Sequence, residues 1–93
     1  MMVEQRQFER KLFDETFYFA VSVLDVIDTK VLNLVARGID ISEGGIGIKT
    51  DYPLEPGHVL RLQNSGLPKQ VGVVRWSANN GSKVIYRVGV KFV

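Results

Sequence analysis

From Phe17 to Val93, large apolar side chains recur at every second position in short runs, and clusters of glycine, proline and asparagine separate those runs. Successive side chains of a strand point to opposite faces, so a period of two buries one face of each segment and leaves the other in water. Phe17, Phe19, Val21 and Val23 share one face of a strand ending at Leu24. Lys30 to Ile41 is equally rich in Val, Leu and Ile, but Leu32, Leu34 and Ala36 stand on one parity and Ile39 and Ile41 on the other. A β-bulge near Arg37 and Gly38 restores the phase. Gly44 to Thr50 forms a short strand, and Tyr52 to Gly57 has the proline and glycine density of a turn. His58 to Gln63, Lys69 to Trp76 and Val84 to Val93 complete the set. In the last, Tyr86, Val88, Val90 and Phe92 alternate with Arg87, Gly89 and Lys91. Asn64 to Pro68 and Ala78 to Ser82 are hairpin links, the second carrying an Asn-Gly pair that tolerates positive φ.

Six strands in a chain of 93 residues imply one domain with one core. An open sheet of that size leaves exposed edges, and closing it into a barrel removes them. The expected architecture is therefore all-β: a small six-stranded antiparallel β-barrel over residues 16–93, preceded by a flexible charged arm over residues 1–15. Within the arm only Phe8 and Leu12 hint at an apolar stripe, too little for a stable helix.

Composition removes several function classes. There is no cysteine and a single histidine, His58, so disulfide frameworks, thiolate nucleophiles and the common zinc sites are excluded. His58 has no paired nucleophile or base and is read as an exposed residue opening a strand; no cofactor or catalytic site is expected, and the chain is not read as an enzyme. Asp25, Asp28 and Asp51 lack the spacing of a calcium loop. No apolar run approaches the roughly 20 residues that span a bilayer, which predicts a cytoplasmic protein without membrane insertion. The net charge of +2 is unevenly spread: six basic and ten acidic residues precede His58, whereas six basic and no acidic residues follow Gly57. Either folding mixes the halves into a patchwork surface or one face is basic enough to hold an anion. No long Lys/Arg block of the kind that grips a nucleic acid polymer is present.

Two polar constellations remain. Arg6 and Arg10 stand four residues apart on the arm; guanidinium groups grip phosphate oxygens bidentately and stack on purine faces, so two on one segment suit an anionic aromatic ligand. Local pairing with Glu4 and Glu9 is the plainer alternative. The second, Asp40-Ile41-Ser42-Glu43-Gly44-Gly45, lies at a strand exit. Asp40 and Ser42 share a parity and are expected to point away from the core together. A carboxylate accepts from the paired N–H donors of a guanine edge, and the adjacent hydroxyl can serve the remaining base atoms. Gly44 and Gly45 let a ligand approach the backbone, with amides free to face an anion. A simple Asx or Ser turn ending the strand is the alternative. Trp76 is read as core or rim packing, with a nucleobase platform as its alternative.

An arm with Arg-x-x-x-Arg, followed about thirty residues later by Asp-x-Ser-x-x-Gly in a small β-barrel, resembles the PilZ domain, the bacterial cyclic di-GMP receptor module. The matching residues are Arg6 and Arg10, then Asp40, Ser42 and Gly45. Gly72 to Trp76 and Tyr86 to Phe92 are similar to that family's late strands. The resemblance implies that Arg6 and Arg10 bind the phosphates and a guanine of cyclic di-GMP, that Asp40 and Ser42 hold a guanine, and that Gly45 keeps the turn open. Lys11, Gly44 and Trp76 are accessory candidates, and Phe8 a candidate anchor for the arm. Gln5 falls where the family varies between binding one nucleotide and a stacked pair. The implied function is a cyclic di-GMP receptor or adaptor whose arm orders on ligand binding and which signals to a bacterial effector protein that the sequence does not identify. The alternatives are a ligand-free interaction barrel and, less favoured, a single-strand nucleic-acid binder, which would expose aromatics on strand faces.

Overall fold

The computed structural model describes residues 9–24, 27–79, 81 and 84–93; the readings of Gln5, Arg6, Phe8, Asp25, Asn80 and Ser82 lie outside them. Among the described residues there are seven antiparallel strands and no helix: β1 (Lys11–Leu12), β2 (Thr16–Leu24), β3 (Thr29–Ile41), β4 (Gly45–Thr50), β5 (Val59–Gln63), β6 (Val71–Ala78) and β7 (Tyr86–Phe92). Six of them close the expected barrel in the order β3-β2-β5-β6-β7-β4, with β4 returning to β3.

β3 makes the closure possible because it is 13 residues long. Its first part pairs with β2, from Thr29 opposite Leu24 to Arg37 opposite Thr16. Its last part pairs on the other side with β4, from Arg37 opposite Lys49 to Ile41 opposite Ile46. The register slips between Gly38 and Asp40, so the bulge demanded by the alternation sits one residue later, at Ile39. That extra residue turns Ile41 towards Ile46 on the inner face and leaves Asp40 opposite Gly47 on the outer one.

The core follows the alternation. Phe17, Phe19 and Val21 of β2 meet Ile46 and Ile48 of β4, Leu60 and Leu62 of β5, Val74 of β6, and Val88, Val90 and Phe92 of β7. Leu54 and Leu67, from the β4–β5 and β5–β6 links, are buried in the same cluster. Fully burying one such side chain contributes roughly 1.5 to 3 kcal/mol, so this set is what holds the closed sheet together.

Two features do not follow from the alternation. A second bulge lies at Arg75, since Val74 pairs with Val90 but Trp76 pairs with Gly89. Counting parity from the buried Val74 sends Trp76 inward; the bulge sends it outward, where it is 51% exposed, so the core alternative of its core-or-rim reading does not hold. The other is β1, within the arm. Lys11 and Leu12 pair with Ile41 and Asp40, the Phe13 amide donates to the Ile39 carbonyl at 3.0 Å, and the Phe13 ring meets Phe17 edge-on at 6.2 Å. Leu12 itself is exposed, so backbone pairing and Phe13 fix this segment, and neither leaves an alternating signature.

Candidate functional site

The slip at Ile39, the tight turn after β3 and the bulge at Arg75 converge on one end of the barrel. Across β3, β4, β7 and β6, the residues Asp40, Gly47, Gly89 and Trp76 stand side by side in one row of the outer face. Four adjacent strands at about 4.8 Å spacing place the first and last Cα atoms roughly 14 Å apart. The two central positions have no side chains, so the flanking ones lean inward over them. A Cβ on Gly47 would come within 2.7 Å of Asp40 Oδ1, and one on Gly89 would run into the Trp76 indole. The carboxylate and the indole therefore line a shared trough floored by backbone.

Cations border that trough. Lys49 stands opposite Arg87 on one flanking row and Lys91 stands opposite Gly45 on the other. Arg10, Arg75, Arg87 and Lys91 line a cleft of about 500 Å³ together with Asp40, Ser42, Gly44, Gly45 and Trp76, and among the described residues Asp40 is the one carboxylate in its lining. Three of these four cations come from the half of the chain without an acid. Arg75, Arg87 and Lys91 were not singled out as site residues in the sequence. Their signal was that acid-free half combined with the outward parity of Arg87 and Lys91.

Arg10 reaches the cleft because β1 holds the following two residues against the end of β3. Its Nη2 donates to Asp40 Oδ1 at 2.8 Å, with both side chains about one third exposed. Arg10 and Asp40, drawn from the two sequence constellations, thus meet directly, and local pairing of Arg10 with Glu9 is not what forms. Arg6 lies outside the described residues. Lys11 does not line this cleft; it borders a neighbouring one with Glu9, Phe13, Glu43 and Pro68.

The turn after β3 differs from its expected role. Ser42 is 8% exposed, and its Oγ accepts hydrogen bonds from the amides of Gly44 at 3.2 Å and Gly45 at 3.3 Å. These two amides are turned onto the hydroxyl and are not directed at an anion. The Ser42 amide in turn donates to the Gly45 carbonyl at 2.9 Å, which closes the turn. A hydroxyl that accepts twice retains one O–H donor, so Ser42 still offers a polar atom to the cleft. Gly45 is buried, and a Cβ there would strike the Val90 carbonyl of β7. The absence of its side chain serves strand packing, and the residue also lines the cleft. His58 is half-buried and caps the preceding turn, its Nδ1 accepting from the Glu55 amide at 3.1 Å. Among the described residues no group of three or more His, Asp or Glu side chains is placed to hold a metal ion. No helix among them is long and apolar enough to cross a membrane.

A closed antiparallel barrel with a cleft lined, among the described residues, by Trp76, Asp40 and four cations defines a small β-barrel module. The family to which the chain belongs is the PilZ domain family, whose model matches residues 4–93. PilZ domains generally bind cyclic di-GMP and are generally not enzymes. No curated protein matches the chain significantly.

Proposed function

We propose that this chain is a cyclic di-GMP receptor that binds the nucleotide in the cleft between the arm and the trough of Asp40, Gly47, Gly89 and Trp76. The observation that carries this reading is the meeting of Arg10 and Asp40, thirty residues apart in sequence, at the mouth of a cleft walled by Trp76 and three further cations. Asp40 accepts from the N–H donors of a guanine edge, and the Ser42 hydroxyl donates to a neighbouring acceptor. The Trp76 indole, flat against Gly89, offers a face on which a purine stacks. Arg10 and Arg6 grip phosphate oxygens and cover the nucleotide from the arm side, and Arg75, Arg87 and Lys91 neutralise the remaining charge. Accessory contact from Gly44 fits its place in the lining; Lys11 acts at most by steering, because it borders the neighbouring cleft.

In the same proposal the arm orders over the ligand, and the closed form is what an effector protein reads. No step needs a nucleophile, base or metal, so the module signals by binding and does not turn its ligand over. The expected compartment is the cytoplasm, where the nucleotide is made.

Calorimetric titration of the protein with cyclic di-GMP, against GTP and cyclic di-AMP as controls, tests the reading. Micromolar or tighter affinity is expected, on the order of −8 kcal/mol or better, weakening as salt is added because the contacts are charged. Absence of heat with folded protein at ligand concentrations well above micromolar would leave the chain as a ligand-free interaction barrel.

A further inference from the structure

The far end of β3 is built differently from the end that carries the cleft. Beyond Arg37, β4 no longer accompanies β3, so from Thr29 to Leu34 the strand has β2 on one side and no described strand on the other. β2 likewise outruns β5, whose pairing stops at Val21 opposite Leu60. The β2–β3 hairpin therefore projects from the barrel with a strand edge that is open among the described residues. Native proteins blunt such edges with proline, a bulge or several charges, since unpaired donors and acceptors recruit another strand. In Thr29-Lys30-Val31-Leu32-Asn33-Leu34 there is no proline, no bulge and one charge.

The direction of the open groups follows from Val35. Its carbonyl accepts from Thr50 Oγ1 at 3.0 Å, so it points away from β2. Residues of a strand alternate in the edge to which they turn their backbone groups, which sends the N–H and C=O of Val31 and Asn33 to the open edge as well. The side chains agree with an edge awaiting cover: Val31 is 62% exposed, Val35 47%, and Ile27 at the hairpin tip 93%.

We propose that this edge is a self-association surface, on which β3 of a second copy of the chain pairs antiparallel about a two-fold axis at Val31. The register is constrained from two sides. Shifting the axis towards Asn33 puts ladder residues of the incoming β3 against Val35, whose carbonyl is already taken by Thr50 Oγ1. Shifting it to Lys30 brings two ammonium groups face to face, which is destabilising. With the axis at Val31, Val31 meets its symmetry mate, Lys30 lies opposite Leu32 and Thr29 opposite Asn33. The exposed Ile27 is brought towards Val35 of the other copy, so the apolar side chains left bare on one protomer cover those of the other. A foreign strand meets the same open row without that reciprocal match. Val31 and Asp40 are nine residues apart, roughly 30 Å along the strand, so both clefts stay open at opposite ends of the dimer. One strand pair buries less than the roughly 800 Å² per partner of a standard interface, so the association is weak and reversible.

Sedimentation of the whole chain from low micromolar to millimolar concentration tests this, together with three variants. The unmodified protein is expected to rise from the 10.5 kDa of one chain towards twice that mass. Val31→Pro removes the outward N–H without touching a bond to β2, and Val31→Lys opposes two like charges; both are expected to stay monomeric with the circular dichroism of the parent. The chain has no cysteine, so Val31→Cys carries a lone thiol. Across the axis its Cα separation of about 5.5 Å lies within disulfide range, and oxidation is expected to give a covalent dimer. Asn33→Cys is the register control: its thiols lie roughly 14 Å apart and are expected not to link. A parent that remains at one chain's mass throughout, folded Val31→Lys that dimerises like the parent, or equal cross-linking at positions 31 and 33 would overturn the proposal.

Discussion

Gly47 and Gly89 face each other across the β4–β7 ladder, and Asp40 and Trp76, one strand further out on either side, lie over them. Two side chains of opposite chemistry, a hydrogen-bond acceptor and an aromatic face, are thereby aimed into one trough by residues that contribute no functional group. The shape of the cleft is set by what is missing at its floor.

Gly89→Ala tests that relationship. Its methyl group would occupy the space of the indole, so Trp76 must swing away from the sheet. Because Trp76 is the single tryptophan, its emission reports the change directly, and a red shift is expected. Loss of the stacking face should weaken cyclic di-GMP binding by about 1 to 3 kcal/mol, as should Trp76→Ala. Unchanged emission in Gly89→Ala would show that the indole does not rest on that residue.

The Arg10–Asp40 pair separates binding from stability. A partly exposed ion pair contributes about 0 to 1 kcal/mol to folding, so Arg10→Ala should leave the denaturation midpoint nearly unchanged. Affinity should fall by about 1.5 to 3 kcal/mol, the range for hydrogen bonds to charged groups, and Arg6→Ala should behave likewise. Parallel urea denaturation and calorimetry give the two numbers; an Arg10→Ala protein that unfolds readily yet binds normally would make the arm a structural strap.

Asp40 should set the base preference. A guanine edge donates where an adenine ring nitrogen accepts, so cyclic di-AMP should bind at least about 2 kcal/mol more weakly than cyclic di-GMP. Asp40→Ala should narrow that gap, whereas Asp40→Asn, whose amide oxygen still accepts, should keep most of it. Competition titrations with the two dinucleotides decide the point, and equal binding by the unmodified protein would leave the cations as a phosphate grip without base selection.

These residues differ in how far the amino-acid sequence exposes them. Period-two runs reveal a strand whose two faces meet different solvents, and so Phe17 to Val23 and Tyr86 to Phe92 were legible residue by residue. The slip in β3 was legible too, to within one residue, because Ile39 and Ile41 break the parity of Leu32 to Ala36. The bulge at Arg75 was not: Val74 is followed by two residues that end up exposed, and either parity fits a tryptophan at a barrel rim. β1 was hidden because it is held by main-chain bonds and by Phe13 packing on Phe17, contacts between segments that no local pattern records. Likewise the Arg-x-x-x-Arg and Asp-x-Ser-x-x-Gly spacings brought out the site's two ends, while Arg75, Arg87 and Lys91 join it only through cross-strand register.

Gly45 illustrates a motif residue that also carries strand packing. Any side chain there meets the Val90 main chain, which cannot rotate aside as a side-chain tip can. Gly45→Ala should therefore destabilise the barrel by about 1 to 3 kcal/mol, the range for overpacking, and lower the melting temperature by roughly 4 to 8 °C for each kcal/mol. Thermal melts followed by circular dichroism measure this, and a melting temperature equal to the parent's would show that β4 and β7 separate at that point without penalty.

Ser42 is where stability and affinity should fail together. The residue is almost completely buried and its hydroxyl accepts from two backbone amides, one of them buried, so Ser42→Ala leaves both donors without their acceptor. An unsatisfied buried donor costs about 1 to 3 kcal/mol, and a loss of that order in the unfolding free energy is expected. The same turn places Asp40, two residues upstream, and the glycines of the cleft wall, so its loosening should also weaken cyclic di-GMP binding. A hydroxyl that only touched the ligand would behave otherwise: the variant would lose affinity and melt like the parent. Equilibrium denaturation of Ser42→Ala without ligand, set beside its titration with cyclic di-GMP, separates the two cases, and a parental unfolding free energy would assign Ser42 to the ligand alone.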